Sequence, residues 1–319
     1  MSHHTVVIAG AGQLGSRYLQ GLARCTMPLR IHVLDIDMAS LAVARERWQE
    51  AAPSDTPHSV EFHSILAELP VVLDVAIIAT TAAVRPQLVQ SIAQHASVRF
   101  WILEKVLAQS EAGLDALAVA VASSAGAWVN TPRRMLAWHQ QIGVQLHRGA
   151  PLTLKVSGGA WGLACNAIHF LDMFAWWSGE NLQEVLTERL SAHWFDAKRV
   201  GNSEIMGTLE ARFSGGSKAF LQAAEGDVHY QFELHDGAYT WCIDEAAGSA
   251  TRSDGLDLPG RLPYQSEVSA SMVEEILALG RCDLPTLTES IGLHRVFIRA
   301  LLAHWRTSTD AQASIVPIT

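Results

Sequence analysis

The sequence predicts an α/β protein: an N-terminal Rossmann-type doubly wound parallel sheet, then an α+β domain with a large, mostly antiparallel sheet. Three observations predict it. The stretch 5–15, TVVIAGAGQLG, reads as strand, glycine turn and helix start. Five further strand-like runs follow in the first 130 residues, alternating with helix-like stretches, the pattern of βαβ units. Beyond Asn130 this alternation gives way to successive β-like runs. The expected division is a dinucleotide-binding domain over 1–130 and a substrate-binding and oligomerisation domain over 131–319, with the closing helices candidates to pack back on the first.

The elements follow in order. Val6, Val7, Ile8 and Ala9 are an apolar run of strand formers, and a helix is expected over 16–23. Gly10, Gly12 and Gly15 fall in the spacing G-x-G-x-x-G. Gly10 permits the tight turn, Gly12 lets backbone approach a pyrophosphate, and Gly15 lets helix and strand pack closely. Gln13 and Leu14 complete the fingerprint and open the helix, whose N-terminus turns free N–H groups and partial positive charge on the phosphates. The next strand, 29–34 (LRIHVL), ends in Asp35, about twenty residues past the glycines, where a ribose-binding acid belongs. Ile36, Asp37 and Met38 follow, with no adjacent arginine to receive a 2′-phosphate, so NAD is favoured over NADP.

A helix is expected over 38–50, a Pro- and Ser-containing loop over 51–57 and a short strand over 60–63. The run 73–80 (LDVAIIAT) is apolar throughout, as for a strand buried on both faces. Then come a helix over 85–95, a strand over 98–103 (VRFWIL) ending in Glu104 and Lys105, a helix over 110–124 and a strand over 127–130. In the second half, helices are expected over 135–147 and 165–177, and strands over 152–157, 185–190, 206–213, 218–223, 229–234 and 239–243. Ser214-Gly215-Gly216-Ser217 reads as a hairpin turn. A loop over 255–263 precedes closing helices at 266–279 and 287–305.

Bulk properties narrow the function. The 319 residues are 49% hydrophobic and only 17% charged, which supports a large core and argues against disorder. A net charge of −9 without a basic stripe excludes nucleic acid as the expected partner. The four cysteines, Cys25, Cys165, Cys242 and Cys282, form no C-x-x-C pair, and no cluster has metal-ligand spacing, so no metal is expected. The start, MSHHTVV, has no room for a signal peptide, and 114–129 carries Asp115, Ser123 and Ser124, so no membrane span is expected. The expectation is a cytoplasmic protein acting on a small molecule.

Ligands of open α/β sheets sit beyond the carboxyl ends of the strands, so Lys105 is a candidate to hold a reacting oxygen and relay a proton. A surface lysine at a strand end fits the same position. The glycine fingerprint, Asp35, the apolar strand before Thr80 and the pair Glu104-Lys105 together resemble the Gfo/Idh/MocA family, dehydrogenases of sugars, cyclitols and related polyols. The resemblance implies an NAD-dependent transfer of hydride between nicotinamide and a sugar, sugar-nucleotide or polyol hydroxyl. It also implies cofactor contacts at Thr80, Thr81 and Glu104, and a homodimer or homotetramer formed through the C-terminal sheet.

The family's Glu-Lys-Pro here carries Val106 in place of proline, and Thr80-Thr81-Ala82 with Arg85 replaces Thr-Pro-Asn with a later histidine. A second catalytic segment, Asp-x-x-x-His-x-x-Asp, is matched by His169 and Asp172, with Cys165 in the first position and Asn166 beside it. His169 is thereby the candidate proton carrier, an imidazole suiting that task near neutrality. Without the resemblance, a core histidine on an apolar helix fits as well. Asp172, one turn on, is expected to orient the ring, bind substrate or fix the helix. Asn166, Trp161 and Arg134 are weaker substrate candidates, and Asn130, Arg133 and Arg134, after the last strand of the first domain, fit substrate contacts and domain-junction salt bridges equally. The altered first carboxylate motivates a second reading, an NAD(H)-binding regulator or assembly partner that has lost turnover. A third is an imine or amino-acid-type reductase on the same fold.

Overall fold

Strands apolar on both sides must be covered on both faces, and the inner strands of the first sheet obey this rule. The computed structural model describes residues 3–226 and 228–319. Its first sheet contains β1 (His4–Ala9), β2 (Leu29–Leu34), β3 (Ser59–His63), β4 (Val72–Ile78), β5 (Ser97–Glu104) and β6 (Gly126–Asn130). All pairs are parallel and the order is β3-β2-β1-β4-β5-β6. The order reverses between β1 and β4, so the crevice at their carboxyl ends is the switch point where such sheets take ligands. The turn after β1 carries Gly10 and Gly12, and the turn after β4 carries Thr80.

The crossovers include α1 (Gln13–Leu22), α2 (Met38–Ala51), α3 (Arg85–His95) and α4 (Glu111–Ala120). Asp37 starts α2 by accepting the Ala39 and Ser40 N–H groups. α4 ends at Ala120, four residues short of the expected helix, in turns at 121–125.

The chain divides into two compact units. The first takes the residues up to Leu107 together with Asp115–Asn130 and Pro263–Leu287; the second takes Ala108–Leu114, Thr131–Leu262 and Thr288–Thr319. In the first unit, α7 (Gln265–Leu279) lies on α1, where a Cβ on Gly21 would come within 2.7 Å of Ser269 Cβ. In the second, the Gln109 side chain donates to the Ile318 carbonyl (3.1 Å), and Arg299 binds both oxygens of Glu111 (2.8 and 2.9 Å).

The second unit holds β7 (Thr153–Gly158), β8 (Leu182–Asp196), β9 (Ser203–Phe213), β10 (Lys218–Ala223), β11 (Gln231–His235), β12 (Thr240–Asp244) and β13 (Ser249–Arg252). They form one sheet in the order β13-β12-β11-β7-β10-β9-β8, in which β7 and β10 are parallel and the other pairs antiparallel. Two strands depart from expectation. β8 is much longer than 185–190 because register shifts against β9 interrupt its apolar alternation. β13 is short and polar, without the pattern that marks a strand in sequence. The helix expected over 135–147 opens as a 3-10 turn, Pro132–Met135, and becomes α5 (Ala137–Gln145) after the extended residue Leu136.

α6 (Leu163–Ser178) packs on β9 and β10, with Phe174 edge-on to Phe213 (5.0 Å between ring centres). Glycines with left-handed backbone bound it: Gly162 (φ 81°) and Gly179 (φ 71°). α8 (Leu287–Ser308) closes the helical series.

A buried ion cluster ties this unit together. Arg133 donates to both oxygens of Glu245 (2.8 and 2.6 Å), and His139 Nε2 lies 3.0 Å from the same carboxylate. Burial opposes ionisation of Glu245, but the Arg133 guanidinium and His139 outweigh it and hold the carboxyl down at about 2. A depressed folded-state pKa contributes stability above the unfolded value, which is lost as pH falls through the folded one. Denaturant titrations between about pH 4.5 and pH 2 should therefore show a loss on the order of 3 kcal/mol from this group. In Glu245→Gln that loss should be absent, and the variant should already be about 3–5 kcal/mol less stable at neutral pH because Arg133 is left buried and uncompensated. Parallel pH profiles for the two proteins would contradict this assignment.

Candidate functional site

The glycine turn of the first unit is shaped by three different demands. Gly10 has φ 98°, and a Cβ there would lie 3.0 Å from the Ala79 carbonyl and from Thr80 Cγ2. A Cβ on Gly15 would lie 1.7 Å from the Gly10 carbonyl oxygen, so helix and turn touch through backbone. At Gly12 a Cβ would meet nothing within 4 Å. Gly12 is also the N-cap of α1, which has no side-chain cap and no acid in its first turn. An open glycine before an uncapped helix N-terminus is the cradle a pyrophosphate requires.

Asp35 stands at the end of β2, half-buried. Its Oδ2 accepts the Ala11 N–H (2.6 Å) and its Oδ1 the Asp37 N–H (2.9 Å), which joins it to the glycine turn. A carboxylate has about four acceptor positions, so two remain for ribose hydroxyls. Across the crevice, Thr80 Oγ1 is buried and has no hydrogen-bond partner among the described residues. Thr81 is half-buried, and its carbonyl accepts the Arg85 N–H (3.1 Å). The residues at this turn therefore fit a dinucleotide.

Three contributors here are invisible in the motif. Arg47 of α2 donates to Gln13 Oε1 (2.8 Å) and to Ser16 Oγ, and so fixes the first turn of α1. Gln13 is thus occupied by a protein partner, while Leu14 follows it in the same turn. Arg85, 1% exposed, donates to the carbonyls of Thr80, Val106 and Leu107 (3.1 Å for the last). It clamps the turn after β4 to the turn after β5. Tyr18 of α1 donates to Glu104 (2.7 Å), which also accepts from Asn130 Nδ2 (2.6 Å), and Asn130 donates in turn to Gln265 (2.8 Å).

Glu104 is consequently an interior residue, 4% exposed. Burial pushes its carboxyl above the usual range, against the pull of the Tyr18 and Asn130 hydrogen bonds and of the Arg85 and Lys105 charges. Its visible task is to anchor the end of β5. Lys105 follows, half-buried, and joins Val106 through a cis peptide bond.

The second unit places the other candidates around α6. Glu204, on β9, accepts the Ala164 N–H (2.8 Å) and the Cys165 N–H (3.2 Å) at the start of the helix. Burial raises its pKa, and hydrogen bonds from the Cys165 thiol and these N–H groups oppose the rise. A carboxylate from another strand thus arrives beside Cys165, a meeting that local spacing does not reveal. Asn166 donates to the Trp161 carbonyl (2.9 Å), so its amide supports the turn into the helix. Trp161 donates to the Gln222 carbonyl (2.8 Å) and packs edge-on against Phe170 and beside Tyr230.

His169 is half-buried in the second turn of α6. Asp172, 3% exposed, receives both arms of the Arg134 fork (2.6 and 3.1 Å). Burial raises the Asp172 pKa, while the Arg134 charge and hydrogen bonds lower it. This pair lines a cleft of about 480 Å³ with Trp176, Glu180, Asn181 and Glu289. His169, Asn166 and Trp161 are not in the lining of that cleft. Arg133 is committed to Glu245, so of the two adjacent arginines only Arg134 lines the cleft. Trp177 is buried in the core, whereas Trp176 is half-buried at the cleft.

Outside these candidates, the structure gathers His32, Glu61 and His63, although the sequence shows no metal-ligand spacing. No helix among the described residues is long and apolar enough to cross a membrane.

Comparison with protein-family models and with characterised protein sequences finds no match. Comparison with solved structures finds extensive likeness at low identity. Levoglucosan dehydrogenase, solved with NADH and L-sorbose, superposes with a TM-score of 0.72 at 15% identity over 97% of this chain and 98% of that one. The chain shares its fold. Scyllo-inositol dehydrogenase from Lactobacillus casei, solved with NAD(H) and scyllo-inositol, gives 0.68 at 13% identity, covering 95% of this chain and 97% of that one. UDP-N-acetylglucosamine 3-dehydrogenase from Acidithiobacillus ferrooxidans gives 0.67 at 17% identity, covering 98% and 99%.

The glycines make separable predictions for stability. Gly15→Ala should cost at least about 2 kcal/mol, because helix and turn must move apart. Gly12→Ala should cost less than about 1 kcal/mol, since only the N-cap preference changes. Thermal and denaturant unfolding of the two variants measures the difference; equal losses would remove Gly12 from the open face of the turn.

Proposed function

We propose that this chain is an NAD-dependent oxidoreductase of the Gfo/Idh/MocA type that acts on a hydroxyl or carbonyl carbon of a sugar, sugar nucleotide or polyol. The observation that carries the reading is the glycine turn: open at Gly12, closed on backbone at Gly15, with Asp35 joined to its Ala11 N–H. The shared fold adds weight, because the structures compared were solved with NAD(H) or are dehydrogenases of such substrates.

In this reading the first unit binds cofactor. The N–H groups of Gln13, Leu14 and Gly15 hold the pyrophosphate, Asp35 takes the ribose hydroxyls, and Thr80 and Thr81 line the nicotinamide side. The Asp35 carboxylate repels a 2′-phosphate, which selects NAD over NADP. When bound, the nicotinamide accepts or donates the hydride. Lys105 donates a hydrogen bond to the reacting oxygen and stabilises its alkoxide character. His169 carries the proton that this oxygen loses or gains. Asp172, held by the Arg134 fork, fixes the helix that carries His169, and Asn166 and Trp161 shape the start of α6. A second copy of the chain is the proposed partner of the seven-stranded sheet, in a homodimer or homotetramer.

Three variants test the division of labour. Lys105→Met and His169→Asn should each lower kcat by about 10²- to 10⁴-fold in a polyol and sugar panel read by NADH absorbance. NADH affinity, read by fluorescence titration, should be preserved in both. Gly12→Ala should lose NADH binding while remaining folded. Firm NADH binding with no reduction across the panel, and no effect of Lys105→Met on cellular activity, would favour the regulator reading instead.

A further inference from the structure

The edge of the parallel sheet carries a cluster that the oxidoreductase reading does not use. His32 lies on β2, and Glu61 and His63 lie on the neighbouring edge strand β3. His32 is registered opposite Glu61, and Glu61 and His63 are two residues apart, so alternation sends all three side chains to one face. His32 and His63 are 4% and 8% exposed, and the Glu61 side chain is open to solvent.

Their donor atoms converge. His32 Nδ1 is 3.0 Å from His63 Nε2, and Glu61 Oε2 is 3.8 Å from each. Donors around a tetrahedral zinc ion with bonds of about 2.0–2.1 Å lie about 3.3 Å apart, so the triangle already has the size of one tetrahedral face. A separate observation concerns the outer layer. His63 Nδ1 is 3.3 Å from Glu68 Oε2. A metal-bound imidazole typically gives its other N–H to such a carboxylate, which fixes the tautomer that leaves Nε2 as the ligand.

With both rings neutral and no cation present, the two facing nitrogens must share one proton. If His63 Nδ1–H faces Glu68 and its ring is neutral, its Nε2 lone pair needs the proton of His32 Nδ1. A cation shared by Nδ1 and Nε2 lets both rings keep a proton on the opposite nitrogen.

We propose that His32 Nδ1, Glu61 Oε2 and His63 Nε2 form a binding site for a borderline divalent transition metal of the zinc class, with Glu68 as the outer partner of His63. Imidazole and carboxylate donors suit this class better than magnesium or calcium, which take oxygen. Solvent fills the remaining position on the Glu61 side. The ion would pin the edge strand to β2 just below Asp35, whose N–H already donates to the His63 carbonyl (3.1 Å).

The test uses the full chain without cofactor or substrate, in a background where His3→Ala and His4→Ala remove the terminal pair. Calorimetric titration with Zn²⁺ should show one ion per chain, and the visible spectrum of the Co²⁺ form should report a four-coordinate site. Glu68→Gln should weaken binding by about 10- to 100-fold. Glu61→Gln, a change at an exposed side chain, should weaken it at least as much, and His63→Ala should abolish it with the far-ultraviolet circular dichroism retained. No saturable uptake by the background protein would overturn the proposal. So would an affinity that Glu61→Gln and Glu68→Gln both leave unchanged, and these two variants decide the matter even if His63→Ala fails to fold.

Discussion

Helix α1 rests on bare backbone: the Gly15 α-carbon sits so close to the Gly10 carbonyl that no side chain fits between them. Much of the first unit is organised by that approach. Residues along α1 at intervals of three each meet a different neighbour. Gly12 leaves its N-terminus open, Gly15 meets the turn, Tyr18 reaches Glu104 at the end of β5, and Gly21 receives α7. One helix thus connects the phosphate cradle, the anchor below Lys105 and a helix more than 240 residues further along the chain. Shifting α1 outward by a methyl group would disturb all of them together, because close-packed interiors transmit such displacements.

The second unit is held by charges taken out of water in pairs. Arg133 with Glu245, Arg134 with Asp172, and Glu204 with the N–H groups at the start of α6 each satisfy a buried carboxylate. Such pairs add little net stability compared with apolar packing, but they are costly to break one partner at a time. Their value here is positional. Glu204 fixes where α6 begins, Arg134 holds the face bearing Asp172, and His169 lies between these two fixed points on the same helix. The helix carrying the candidate proton carrier is therefore set from both sides by polar contacts of defined geometry.

The edge strand β3 illustrates a different economy. His32, Glu61 and His63 are spread over 32 positions of sequence, and two strands in register bring them within reach of one ion. A search for ligands close in sequence passes over such a set. Arg85 escapes the same kind of search. It looks like a departure from a familiar loop pattern, and its role as a clamp between two turns exists only when those turns are adjacent. Glu104 shows the converse: its neighbour Lys105 marks it as a site residue, whereas its own carboxylate faces inward to Tyr18 and Asn130.

By itself the sequence determined what is local. Strand, glycine turn and helix over 5–15 follow from apolar alternation and from backbone that needs no Cβ. The six parallel strands, most helix limits and the change to antiparallel β structure after Asn130 follow from periodicity and turn residues, information contained within a few positions. Where that information was broken, by the bulges of β8 or the polar shortness of β13, the element was mis-sized or missed. Tertiary structure alone decided the partners: Arg47 on Gln13, Glu204 beside Cys165, Arg134 on Asp172, α7 on α1 and the two histidines at the sheet edge. The physical reason is that a dihedral preference or a buried stripe belongs to a short segment, whereas a hydrogen bond between distant residues exists only after packing has chosen which segments are neighbours.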